Sequence, residues 1–140
     1  MTLTDSERDY LAGQPLGRLA TLRADGTLQN SPVGFDYDPD TGTIDIGGRA
    51  MGGTRKFANV AATGVAALII DDLASRDPWT VRGVEIRGRA EAISGIEPTA
   101  SYGSGEIIRL HPSRVISWGL DPDRPGMSGR TIPDPGPGVA

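Results

Sequence analysis

The chain has 140 residues, 37 % of them hydrophobic, and a formal charge of −4. That length suits one domain with a modest core, the acidic balance excludes a general nucleic-acid binder, which needs a basic face, and the lack of cysteine excludes disulfides and thiolate metal sites. The lone histidine, His111, cannot build a His-rich metal centre, and with neither an apolar run of membrane-spanning length nor an apolar signal core the expectation is a cytoplasmic protein.

Thr4-Asp5-Ser6-Glu7 has the capping-box pattern and predicts a short helix to about Ala12, stopped at Gly13. Gly17 to Arg23 reads as a strand, and Asp25-Gly26 as a hairpin turn leading into a strand from about Leu28 to Tyr37. A turn at Asp38–Gly42 precedes a strand from Thr43 to Gly47, with Ile44 and Ile46 facing inward. Gly48–Gly53 is a glycine-rich loop. Thr54 is the expected N-cap of a second helix, in which Phe57, Val60 and Ala61 share a face and Gly64 is the stop. Val65 to Ile70 is apolar without alternation, as in a strand covered on both faces, and Asp71 to Pro78 reads as a polar connection. Val84, Ile86, Gly88, Ala90 and Ala92 alternate with Glu85, Arg87, Arg89 and Glu91 in the cleanest strand pattern of the chain. After a loop from Gly95 to Ser104, Ile108 and Leu110 lie on one strand face, His111-Pro112 is expected to interrupt the pairing, and Arg114 to Gly119 forms the last strand.

Composition changes at Pro122, after which 19 residues hold five prolines and four glycines. The expectation is a domain over residues 1–121 and a disordered tail over 122–140. Six or seven antiparallel strands and two short helices, with no βαβ alternation, favour a small barrel, whose closure removes sheet edges. The modest core fits a barrel that dimerises.

The segment Gly48-Arg49 to Thr54-Arg55-Lys56 carries most chemical information. Cations in a first helical turn oppose the helix dipole by roughly 0.3–1 kcal/mol each. A bound anion reverses that sign, because the free amides, the cations and the Thr54 hydroxyl then converge on one phosphate. An ordinary solvated helix start reads equally well from spacing alone. Of the 14 basic side chains only Lys56 is a lysine; the segment lacks the Gly-Lys-Ser/Thr ending of a Walker loop. Trp118 and Trp79 read either as core or interface residues or as ligand contacts. Arg49 is either solvated or an anion contact. Arg87 and Arg89 form ion pairs with Glu85 and Glu91 on the bland account. His111 reads as structural, so no Ser-His-Asp arrangement is supported.

Thr54-Arg55-Lys56 with Asn59-Val60 resembles the phosphate-binding segment of pyridoxamine-phosphate-oxidase-like flavoproteins. Gly17–Arg23 with Gln29–Val33 resembles their first hairpin, Arg87–Glu91 a central strand, and Ile108–Pro112 and Val115–Gly119 the closing strands. The resemblance covers about residues 4 to 120 in order, and within the superfamily is nearest the actinobacterial branch that uses the deazaflavin coenzyme F420. It implies a mainly β, split β-barrel homodimer with a cofactor site at each end of the interface. It further implies that Lys56, Arg55 and Thr54 grip the cofactor phosphate and that Asn30, Ser31, Pro32 and Val33 lie along the ring. Gly48, Arg49 and Asn59 complete the implied site, with Trp79 and Trp118 near the ring or substrate. The implied activity is hydride transfer from reduced F420 to a small conjugated acceptor, with no side-chain nucleophile, nucleic acid or membrane. An FMN-dependent oxidoreductase and a non-catalytic carrier of flavin, deazaflavin or haem are the alternatives. Vitamin-B6 oxidation is disfavoured, because a Pro/Gly tail stands where the oxidase has its pyridoxal-phosphate arginines.

Overall fold

A computed structural model describes residues 2–97 and 103–133. It contains helices α1 (Asp5–Ala12) and α2 (Arg55–Thr63) and strands β1 (Gly17–Leu22), β2 (Leu28–Val33), β3 (Asp36–Asp38) and β4 (Thr43–Ile46). Strands β5 (Val65–Arg76), β6 (Trp79–Ile93), β7 (Ile107–Trp118) and β8 (Met127–Thr131) follow. All pairings are antiparallel, in the order β2-β1-β5-β6-β7-β4-β3, with β8 alongside β7. This is a split β-barrel, curled around one core.

Local chemistry sets most of these elements. Thr4 and Glu7 form the reciprocal capping box of α1. Gly26, at φ +89°, makes the β1–β2 turn, and Arg23 N donates to Thr27 O at 2.8 Å. Gly64, at φ +71°, terminates α2. The inward alternation holds: Leu19, Ile44, Ile46, Leu68, Ile70, Val84, Ile86, Ile108, Leu110 and Val115 are fully buried.

The expected Leu28–Tyr37 strand is split at Gly34-Phe35 into β2 and β3, which end the hydrogen-bonded path on opposite sides. Asp71 to Pro78 is not a connection. Strand β5 runs on to Arg76, because Asp71 and Asp72 are neutralised by Arg18 and Arg82 across the ladder. Nor does Pro112 interrupt β7. A bulge opposite Arg87/Gly88 absorbs it, the extra Ser113 donating its hydroxyl to Arg87 O at 3.1 Å. On α2 the third inward residue is Asn59, not the exposed Ala61. The apolar run from Val65 is covered on one face only: Ala66, Leu68 and Ile70 are buried, whereas Val65 is 44 % exposed.

The stretch from Pro122 is not all tail, for β8 lies within it. Five of its residues pair with Arg114–Trp118. Arg130 meets Glu7 at 2.5 Å and Thr2 O at 2.7 Å, holding the strand against α1. The prolines misled the composition reading, since they flank the strand and leave its ladder donors intact. Residues 134–140 lie outside the described residues, as do 98–102 of the expected loop.

Candidate cofactor site

The two helix starts differ in kind. In α1, Asp5 and Glu7 already place negative charge at the N-terminus. In α2 no acidic residue occupies the first turn, which holds Arg55 and Lys56 instead. The Thr54 hydroxyl accepts from Phe57 N at 3.3 Å and donates to Met51 O at 2.6 Å. Among the described residues, the amides of Arg55 and Lys56 have no acceptor, and the side chains of Arg49, Arg55 and Lys56 have no carboxylate partner. Seven other arginines do have one. Three cations without a carboxylate partner within eight residues, beside two open amides, supply the charge and the donors that binding an anion requires.

The loop before α2 is held in shape. Met51 is buried, its amide donating to Ser104 Oγ at 3.2 Å, and Gly53 and Thr54 turn back on Ala50 O and Met51 O. The Glu106 carboxylate is seated against Gly52, where a Cβ would displace it. That carboxylate offsets only part of the local positive charge.

Asn59 sits 4 % exposed, donating to Thr21 Oγ1 at 3.1 Å and Gln29 Oε1 at 3.0 Å. Its amide hydrogens are thus spent inside the protein; Asn59 ties α2 to β1 and β2. Lys56 and Arg55 lie three and four positions earlier, one turn along the helix. Gln29, Thr21, Ser104 and Glu106 were not foreseen as site residues. Each acts through a partner distant in sequence, so no local pattern marks it.

Strand pairing splits the remaining candidates. Ser31 and Val33 pair with Leu19 and Gly17 and face the core side, Val33 at 5 % exposure. Asn30 and Pro32 are exposed on the opposite, outer face. That face continues over Ala20 and Ala67, Glu85 and Arg87, to Ile116, Trp118 and Met127. Of the seven exposed large hydrophobics among the described residues it carries six: Leu28, Val65, Leu73, Trp79, Val81 and Met127. A groove of about 500 Å³ crosses it, floored by Ala20, Ala67 and Gly88 and edged by Leu28, Val65 and Arg89.

Trp118 lies flat over Gly83, where a Cβ would stand 2.5 Å from Cζ2. Trp79 is 72 % exposed at the tip of the β5–β6 hairpin. Both tryptophans share the outer face with Asn30 but stand at its far end. Arg87 and Arg89 pair with Glu85 and Glu91 on their own strand, at 2.8 and 2.9 Å. His111 Nε2 donates to Glu91 Oε1 at 2.5 Å, a structural contact near the bulge.

The family model described as pyridoxamine 5'-phosphate oxidase matches residues 3–127. A 5a,11a-dehydrotetracycline/5a,11a-dehydrooxytetracycline reductase of Streptomyces rimosus is 44 % identical over 124 residues, 88 % of this chain and 87 % of that protein. An F420H(2)-dependent biliverdin reductase of Mycobacterium tuberculosis is 33 % identical over 95 residues, 68 % of this chain and 63 % of the relative. Among solved structures, a heme binding protein from Mycobacterium smegmatis superposes with a TM-score of 0.66 at 22 % identity, over 92 % of this chain and 58 % of its own; that likeness speaks for the fold alone.

Proposed function

The chain belongs to the pyridoxamine 5'-phosphate oxidase family, and on that premise we propose that it is an F420-dependent reductase acting on a small conjugated organic acceptor, as a homodimer. The single observation that carries the reading is the α2 entrance, with three unpaired cations, two open amides and no acid in its first turn. Lys56, Arg55 and Arg49 neutralise the cofactor's phosphate, and the amides of Arg55 and Lys56 complete its hydrogen bonds. Asn30 and Pro32 border the ring along the β2 edge, and the apolar outer face excludes water around it. Ser31, Val33 and Asn59 act from behind, by holding β2 and α2 in register.

Bound F420, when reduced, supplies the hydride. What remains for the protein is to grip, orient and dry the reacting pair. Two relatives named as reductases, one of 5a,11a-dehydrotetracycline and one of biliverdin, support a small organic molecule as the acceptor. The apolar outer face supports the dimer, because an exposed patch of this kind marks an interaction surface.

Titration of the purified protein with F420 and with FMN, followed by cofactor fluorescence, tests the assignment. Saturable F420 binding and oxidation of reduced F420 by a conjugated acceptor are expected. Tight FMN binding without F420 binding would replace the reading with a flavin-dependent one.

A further inference from the structure

A charged pair crosses the outer face next to the edge strand β2. Arg18 on β1 pairs with Pro32 of β2 on one side and with Ile69 of β5 on the other. It stands two residues from Ala20, and therefore on the same face as Asn30 and Pro32. Its side chain is 52 % exposed, and its Nη1 donates to Asp71 Oδ1 at 2.6 Å. Asp71 in turn pairs with Gly83, and Gly83 with Trp118. A Cβ on Gly83 would meet Trp118 Cζ2 at 2.5 Å and Asp71 Cβ at 3.0 Å, so the indole and the Asp71 side chain flank one another over that glycine. Pro32, Arg18, Asp71 and Trp118 form one continuous run across the face.

Arg82, Arg109 and Arg130 each grip their carboxylate through two nitrogens. Arg18 spends only one. Its Nε and Nη2 have no acceptor among the described residues. An exposed bridge of this kind contributes little to the fold. What Asp71 does is restrict the rotamers of a cation whose other donors stay open. A guanidinium held in this way, between the β2 edge and an indole, suits a ligand oxygen on which negative charge gathers.

We propose that Arg18 holds the oxygen of the acceptor during hydride transfer, and that the acceptor is therefore a conjugated carbonyl compound. The inference rests on the reading that the cofactor ring lies along Asn30 and Pro32, and goes beyond it by naming the residue that meets the acceptor. When hydride reaches the far carbon of a C=C–C=O unit, a C–H bond forms there and the C=C π pair moves towards the oxygen. The acceptor is reduced by two electrons and the cofactor is oxidised by two. The negative charge settles on the oxygen, where Arg18 Nε and Nη2 hydrogen-bond it, and water then gives a proton to the carbon beside the carbonyl. Donors that strengthen as charge develops act on kcat more than on KM.

The test compares Arg18→Gln and Arg18→Lys with the natural protein, all loaded with oxidised F420. The probe is 4-hydroxybenzaldehyde, whose phenolate stands in for the charged oxygen and is followed by its absorbance. The natural protein is expected to bind the phenolate at least about tenfold more tightly than the neutral phenol, as a charge-assisted hydrogen bond implies. Arg18→Gln loses that preference. Arg18→Lys keeps the charge without the fork and retains only part of it. The dissociation constant of F420 stays within about twofold in all three proteins, because the bridge lies apart from the phosphate grip. With reduced F420 and cyclohex-2-enone, kcat of Arg18→Gln falls at least about tenfold while KM changes little. Full phenolate preference in either variant, or none in the natural protein, overturns the proposal while F420 binding leaves the cofactor site standing. A natural protein that does not bind F420 overturns the site reading and the proposal together.

Discussion

Glu7 shows how one side chain can serve two ends of the chain. Burial by itself pushes its carboxyl up, but the Arg130 guanidinium, the Thr4 amide and the Ser117 hydroxyl outweigh that and hold it below the ordinary glutamate range. A depressed folded value means that the stabilisation is complete above the unfolded value of about 4.3 and is lost as pH falls through the folded one. Arg130→Ala leaves a carboxylate 2 % exposed without its cation. A buried pair broken in this way costs about 3–5 kcal/mol, and with Arg130 partly exposed the loss expected in urea unfolding at pH 7 is about 2–3 kcal/mol. The gap between variant and natural protein narrows towards pH 4, as the stranded carboxyl takes up a proton; a gap independent of pH would show that Arg130 acts through packing alone. The capping half of the Glu7 role was legible in the sequence from Thr4 and Glu7. The ion-pair half was not, because Arg130 is 123 positions away.

Among the elements, those governed by short-range chemistry were readable. Both helix caps, the Asp25-Gly26 hairpin and the alternating strand through Val84–Ala92 stand where the sequence places them. Elements whose polarity is settled by partners were not readable. Asp71 and Asp72 look like loop residues until Arg18 and Arg82 arrive from other strands, and β8 looks like tail until Arg130 finds Glu7. Strand β8 also covers the half of the β7 edge that β4 leaves open. A chain ending at Leu120 loses this cover together with the Glu7 partner, and it is expected to be less stable by about 3–5 kcal/mol in chemical denaturation. Unaltered stability would restore the segment to the status of a dispensable tail. In the candidate site the signal lay in an element acting against its own dipole: the cations of α2 stand where α1 carries acids. What could not be seen was the depth of Asn59, since its partners Thr21 and Gln29 belong to a different hairpin.

At the scale of the whole molecule, the barrel buries one face of its sheet thoroughly, and on the other the described residues leave large apolar side chains exposed beside the Glu85–Arg87 ion pair. Sequence patterning hinted at this in the unalternating run from Val65, which reads as buried on both sides although the protomer covers only one. Under the proposed function, the α2 entrance fixes the anionic end of the cofactor and the outer face shelters the ring. The anion receptor is the part on which everything else depends. It is tested most directly by the F420 dissociation constant of Lys56→Ala, measured by fluorescence titration beside the natural protein at the same ionic strength. Loss of a charged hydrogen bond of about 1.5–3 kcal/mol predicts affinity weaker by about 10- to 150-fold with the fold intact by circular dichroism; equal dissociation constants for the two proteins would contradict the account.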